Sequence, residues 1–492
     1  MTDDLKARVV RGVGWSALRT WGARLSSFIV FPILARILGP ETYGLVALAG
    51  VWLMVLDIFS NASFGAAIEQ RKDLEPEHLD TVFWAFLGLG VLLTAASILG
   101  APQVAAFFDE PDLTPVVRWL SLGFLMQMTS GVQTSLLRRE LRMGALAGSS
   151  LGATVIGSGL GIGMALGGFG VWSIVGQRLT TRVLNVVFVW HLSSWRPSWR
   201  FSRQHFQDVA GFGFSVMGNR VLYYLNRQVD QLLIGRYLGK VELGYYFTSS
   251  RLYTLTNNML IGTFSQVAMP AMARLQEDPA RFRRAYVSVS RYVCVVAFPV
   301  FLGLHLLAEE FILVLTGPDW KASIPALQVL ALVGVVHALQ YVNGAAMMAL
   351  GRADLRLATQ VVHSVVNVVG FFIAVRHGFV AVATAYTVRA WLLLPLDLLI
   401  SRHIGAVSLK ALGIALWPQV LAAIVMAAGV HAMKTTMLET LSPVLRLLLG
   451  TGIGATIYVL TIGILDRRLW REGRTLLLEA VGRRRQEEQE PR

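Results

Sequence analysis

The chain of 492 residues is 54% hydrophobic and only 15% charged, with 44 Lys and Arg against 30 Asp and Glu for a formal net charge of +14. Soluble domains carry about 25% charged residues, so a single water-soluble core is excluded, and a mean hydropathy of +0.56 excludes a disordered chain. The one cysteine, Cys294, excludes a disulfide framework and a thiolate metal site. The N-terminal segment is charged and lacks a short apolar core before a small-residue site, so it does not read as a cleaved secretory peptide. These properties predict an all-α polytopic membrane protein.

A helix needs about 20 mainly apolar residues to cross roughly 30 Å of hydrocarbon. In chain order, spans are predicted near 14–38, 44–66, 81–107, 115–137, 144–166 and 171–190. They continue at 207–235, 243–268, 287–316, 323–350, 357–375, 379–400, 411–433 and 441–466, which makes about fourteen. The loops between them are short and marked by Gly, Pro or charge, as at Gly39–Pro40 and Gly317–Pro318.

Lys and Arg are retained in cytoplasmic loops. With the N-terminus inside, the inner segments carry 27 of the 44 basic residues and the outer segments 5. This predicts cytoplasmic N- and C-termini, and it accounts for the positive charge without a nucleic-acid partner.

An internal repeat organises the chain. Arg36-Ile37-Leu38-Gly39, followed by Gly44, is matched by Arg236-Tyr237-Leu238-Gly239, followed by Gly244. Upstream, Gly12-Val13-Gly14-Trp15-Ser16 is matched by Gly211-Phe212-Gly213-Phe214-Ser215. Both copies enter the bilayer from one face, which predicts two six-helix lobes in parallel repeat. The expected division is an N-lobe at 1–195, a cytoplasmic linker at 196–206, a C-lobe at 207–402, two further spans at 403–466 and a charged tail at 467–492. The Trp, Phe and Arg interleaved over 191–206 suggest a segment lying at the membrane interface.

The two lobes, the Arg-x-Leu-Gly-x4-Gly element after spans 1 and 7, and Trp195-Arg196-Pro197-Ser198 together resemble the polysaccharide exporters. These include the Wzx-type lipid-linked oligosaccharide flippases of the multidrug/oligosaccharidyl-lipid/polysaccharide superfamily. The resemblance covers about residues 10–466. It implies translocation of undecaprenyl-pyrophosphate-linked oligosaccharide units across a bacterial inner membrane, for O-antigen, capsule or exopolysaccharide. It further implies alternating access, membrane lipids as surroundings, and polysaccharide polymerase and export machinery as candidate partners. A multidrug or cation antiporter of the same superfamily is the alternative, and a membrane-embedded polymerase or transferase a third.

Enzyme chemistry finds little support. The chain has no Asp-x-Asp and no Gly-x4-Gly-Lys-Ser/Thr phosphate loop, so no cofactor or nucleotide is expected. The series Gly157, Gly159, Gly161, Gly163 and Gly167 lies inside a span, where small residues at helix contacts explain it. The histidines read as single residues, mostly at span ends, with no pair at metal-ligand spacing; Cys294 reads as a small buried residue.

Ionisable groups within spans are expensive and mark function by default. Here they are Arg19, Arg24, Arg178, Arg182, Arg220, Arg227, Arg251 and Arg389 against Asp57 and Asp230. Eight arginines against two carboxylates exceed what internal pairing needs, and guanidinium forks suit a pyrophosphate. All eight are therefore candidate substrate-binding residues. Arg227 and Asp230, three apart, also fit a local pair. Arg178 and Arg182, four apart, repel each other and need an anion or an aqueous cavity. Asp57 is a candidate coupling group, or a charge-balancing partner for Arg19 or Arg24. Arg36, Arg118 and Arg446 lie near span ends, where long side chains snorkel.

Overall fold

The computed structural model describes residues 3–60, 68, 73–207, 228–436 and 441–466, with the side chains of most residues before 28 and of 261–268 outside the description. Among the described residues the structure is mainly helical, with no strand. Among the described residues, nine helical segments are long and apolar enough to cross a membrane. The chain is a multi-pass membrane protein.

Helix α1 (Asp3–Ser60) runs through the first two predicted spans and bends at Gly39, whose φ of 72° and ψ of 174° are non-helical. The cause is local. Pro40 disfavours helical backbone in the residue before it, and glycine alone takes this positive φ without a steric penalty. Helix α2 (Pro76–Phe108) begins with proline at its first position, where no amide hydrogen bond is lost. It ends at Asp109, in the left-handed conformation with φ 57°. Beyond it come α3 (Leu113–Thr129), α4 (Gly131–Arg139), α5 (Met143–Leu166) and α6 (Val171–Leu192). The span predicted at 115–137 is thus broken at Ser130. There the Thr129 and Ser130 hydroxyls donate to the carbonyls of Met126 and Gln127 and compete with the helical ladder.

After a helical stretch at 228–238, the chain continues through α7 (Lys240–Ala273), α8 (Pro279–Leu306), α9 (Ala308–Leu315) and a 3-10 turn at Pro318–Ser323. It ends with α10 (Ile324–Ala349), α11 (Ala353–Ala374), α12 (Phe379–His403), α13 (Leu409–Thr436) and α14 (Pro443–Leu465). The span predicted at 287–316 is interrupted at Leu307, between α8 and α9.

The chain forms two compact units: residues 1–248 with 368–382, and residues 249–367 with 383–492. In the first, α5 packs on α6 through glycine. A Cβ on Gly157 would lie 2.1 Å from Thr181 Oγ1, and one on Gly161 would lie 2.7 Å from Gln177 Cβ, whereas Gly159 and Gly163 face open space. Two of the five glycines of the series, Gly157 and Gly161, are therefore helix contacts. In the second unit, Trp320, Tyr286, Phe301 and Cys294 are fully buried, and a Cβ on Gly334 would meet the Phe301 ring at 2.2 Å.

Candidate functional site

The two copies of the repeat element meet within the first unit. A Cβ built on Gly44 would lie 1.8 Å from the carbonyl oxygen of Lys240, and one on Gly244 would lie 2.1 Å from that of Pro40. Equivalent positions of the repeat thus press on each other's backbone with nothing between. Lys240 fastens the junction, with its Nζ 2.9 Å from Glu41 Oε1 and 3.1 Å from Glu110 Oε2. Hydrogen bonds to Glu41 and Glu110 hold the Lys240 ammonium above its usual pKa, against a smaller opposing effect of burial. Close by, the Phe31 and Tyr43 rings meet edge to face at 5.3 Å across the bend at Gly39.

Arg182 lies in a built niche. Its Nη1 donates to the Gly123 carbonyl at 3.1 Å and also to Gln127 Oε1. A Cβ at position 123 would stand 2.9 Å from Arg182 Cδ, so glycine makes room for the side chain. The charge of Asp57 acts on this guanidinium, so the structure brings Asp57 into reach of Arg182. Arg178, one turn earlier on α6, is exposed. Only Arg182 of that pair enters the niche.

Among the other predicted residues, Asp230 accepts from Tyr246 Oη at 2.6 Å and from the Gln231 amide at 2.8 Å, and Arg251 is half-buried. Arg220 and Arg227, and with Arg227 its expected pairing to Asp230, lie outside the described residues, as do the side chains of Arg19 and Arg24. Arg118 donates from Nε to the Ile98 carbonyl of the neighbouring helix α2 at 3.3 Å, and Arg446 to the Leu441 carbonyl just before α14 at 2.9 Å.

The second unit holds a polar cluster that sequence reading missed. Asp397 on α12, only 4% exposed, has its Oδ1 3.2 Å from His363 Nε2 and accepts at Oδ2 from Gln340 Nε2 at 2.9 Å. Arg389, two turns earlier and 6% exposed, lies with its guanidinium 4.9 Å above the Tyr386 ring. The Tyr253 hydroxyl and His337 Nδ1 are 2.6 Å apart. Of the nine histidines, His337 and His363 are exceptions to the expectation that they sit mostly at span ends, lying well inside α10 and α11. The available signal was that each interrupts an apolar run. Asp397 escaped notice because it lies three residues from the predicted end of its span.

The linker is likewise more anchored than its composition suggested. Its backbone docks on the start of α2: Ser198 N donates to Asp80 Oδ1 at 2.9 Å, and Trp84 Nε1 donates to the Ser198 carbonyl at 2.8 Å. Trp199 stacks on Trp84 with centroids 4.4 Å apart. At the same place Glu75, His78 and His205 each offer one ligand atom within 4.8 Å of the other two. The expectation of no histidines at ligand spacing therefore fails here too, since the linker fold joins residues far apart in sequence.

A family model described as "Polysaccharide biosynthesis protein" matches residues 33–325. The chain is 28% identical over 480 residues to the succinoglycan biosynthesis transport protein ExoT of Rhizobium meliloti (strain 1021), covering 96% of each chain. It is 25% identical over 357 residues to the teichuronic acid biosynthesis protein TuaB of Bacillus subtilis (strain 168), covering 72% of this chain and 73% of that one. The solved structure of a lipid II flippase MurJ in an inward closed conformation matches with a TM-score of 0.76 at 16% identity, covering 93% of this chain and 99% of that one. The last likeness shows a common fold.

Proposed function

Because the chain belongs to the polysaccharide biosynthesis protein family, we propose that it is a flippase for oligosaccharide units linked to polyprenyl pyrophosphate. It moves them from the inner to the outer leaflet of a bacterial inner membrane, with both of its own termini in the cytoplasm. The observation that carries this reading is the likeness to a transport protein of succinoglycan biosynthesis along 96% of both chains. The fold shared with a lipid II flippase supports it. No bond of the substrate is made or broken, so the chain acts as a transporter and hands its product to polysaccharide polymerase and export machinery.

The residues supply the binding chemistry. Spans that hold eight arginines against Asp57, Asp230 and the buried Asp397 favour an anion over an organic cation, which argues against the antiporter reading. In this reading, alternating access of the lobes at 1–195 and 207–402 exposes Arg19, Arg24 and Arg220 to the pyrophosphate. Arg24 and Arg220 occupy repeat-related spans at similar depth. Arg178, Arg182, Arg227, Arg251 and Arg389 serve as further contacts, and Asp57 and Asp230 balance charge. Charge-assisted contacts contribute about 1.5–3 kcal/mol each, so loss of one weakens binding roughly ten- to a hundredfold.

The test is reconstitution of the full chain in proteoliposomes with a labelled lipid-linked oligosaccharide, reading label accessible at each face. Transport should be present in the unmodified protein and absent in Arg24→Ala/Arg220→Ala, with equal protein incorporated. Normal transport by the double variant would place the substrate site elsewhere. No transport of any lipid-linked sugar by the unmodified chain would overturn the flippase reading.

A further inference from the structure

In the second unit, the first turns of α8, the start of α13 with Ser408 before it, and the end of α14 line a cavity of about 580 Å³. Its lining includes three arginines, Arg283, Arg284 and Arg291, against one carboxylate, Asp466. Arg291 and Asp466 neutralise each other in a two-point pair, Nε to Oδ2 at 3.0 Å with a second contact from Nη2 to Oδ1. Arg283 and Arg284 are exposed, and among the described residues neither has a carboxylate at ion-pair distance, while Arg281 takes Asp278. Among the described residues that line the cavity, three arginines less one aspartate leave a net charge of +2, with Asp278 the nearby carboxylate whose charge Arg284 also feels.

The other side of the cavity is apolar and open. Ile414 and Trp417 line it and are 61% and 49% exposed. At 1.5 Å per residue, Arg283 and Arg284 stand about 6–8 Å along α8, and Trp417 about 12 Å along α13. The hydroxyls of Ser288 and Ser408 sit on the same lining. A cationic rim followed by an exposed apolar wall repeats the polarity of one membrane leaflet, head group first and acyl chain beneath.

We propose that this cavity binds an anionic glycerophospholipid of the leaflet on which it opens. Arg283 and Arg284 hold the phosphate, and the acyl chains lie along Ile414 and Trp417. Charge selects the occupant. A net +2 attracts a head group with an uncompensated negative charge, whereas a zwitterionic one brings its own cation against the arginines. The apolar wall separates a lipid from free phosphate, which gains nothing from it. Basic pockets between membrane helices at the cytoplasmic side bind anionic head groups in this manner, and the proposed orientation puts these helix ends in the cytoplasm. The assignment does not depend on what the protein transports.

The experiment is native mass spectrometry of the purified full chain in detergent, titrated with phosphatidylglycerol or phosphatidylcholine. Phosphatidylglycerol should bind saturably and phosphatidylcholine at least tenfold more weakly. With about fivefold in affinity per surface arginine, Arg283→Gln/Arg284→Gln should weaken phosphatidylglycerol binding about thirtyfold, and Arg283→Lys/Arg284→Lys should largely preserve it. Equal binding of both lipids, or unchanged binding in the Gln variant, overturns the proposal. If the Gln variant fails to fold, the selectivity of the unmodified protein decides alone. Two competitors separate the sources of the phosphate. Displacement by inorganic pyrophosphate at equal concentration shows an anion site without lipid character, and preferential binding of undecaprenyl pyrophosphate assigns the cavity to the carrier lipid. Either result also overturns the proposal.

Discussion

Gly44 rests against the carbonyl oxygen of Lys240, so closely that a methyl group at position 44 would lie 1.8 Å from it; Gly244 meets the carbonyl of Pro40 in the same way at 2.1 Å. The sequence repeat becomes a physical contact, in which each copy supplies the glycine that the backbone of the other requires. Backbone atoms cannot swing aside as a flexible side chain can. Gly44→Ala and Gly244→Ala should each destabilise the protein by about 1–3 kcal/mol. Gly159→Ala, with nothing within 4 Å, should be neutral or gain up to about 1 kcal/mol in helix propensity. Thermal unfolding in detergent distinguishes the sites, and equal melting temperatures for all three variants would show that the junction yields at no cost.

The Lys240 contacts with Glu41 and Glu110 give this junction a pH dependence. The folded state raises the lysine pKa above its ordinary value of about 10.4. Its stabilising contribution is therefore complete below that value and lost as pH rises through the folded pKa. Lys240→Gln should cost about 0.5–1 kcal/mol at pH 7, and the gap to the unmodified protein should close as pH rises through the raised pKa of the folded state. A gap of constant size across that range would remove Lys240 as its source.

His363 and Asp397 form a buried pair, in which Asp397 also accepts from Gln340. A buried polar group left without its partner costs about 1–3 kcal/mol. Asp397→Asn and His363→Gln should each destabilise within that range, and the double variant by clearly less than their sum. A denaturation series on the four proteins measures the coupling. Strict additivity would mean that the 3.2 Å approach contributes nothing.

Arg182 should be sensitive to its niche as well as to its charge. Gly123→Ala places a methyl group 2.9 Å from Arg182 Cδ, which displaces the guanidinium while leaving its charge. Polysaccharide export in a strain depending on this chain should fall at least tenfold with Arg182→Ala and with Gly123→Ala, at unchanged protein level by immunoblot. Export retained in Gly123→Ala but lost in Arg182→Ala would show that the charge matters and its position does not.

What could be read from the chain alone was whatever depends on neighbours in sequence. Apolar runs of sufficient length become membrane helices because transfer to hydrocarbon is a property of each segment. Gly39 before Pro40 marks a bend because the steric conflict lies within two residues. The offset of 200 between the copies of the repeat pointed to paired elements before any contact was known. The breaks at Ser130 and Leu307 were missed although the chain marks both: Gln127, Thr129, Ser130, Gly131 and Gln133 interrupt the apolar run at the first, and Glu309 and Glu310 follow the second. The partners of the charges were not legible. Asp57 comes into reach of Arg182, Asp397 meets His363, and Arg291 takes Asp466 from 175 positions away. An ionisable group in a low-dielectric interior must find compensation, and the sequence determined that much for every one of them. Which group supplies it is decided by how the helices pack, because helix rotation and depth set the few ångströms over which a charge can be met.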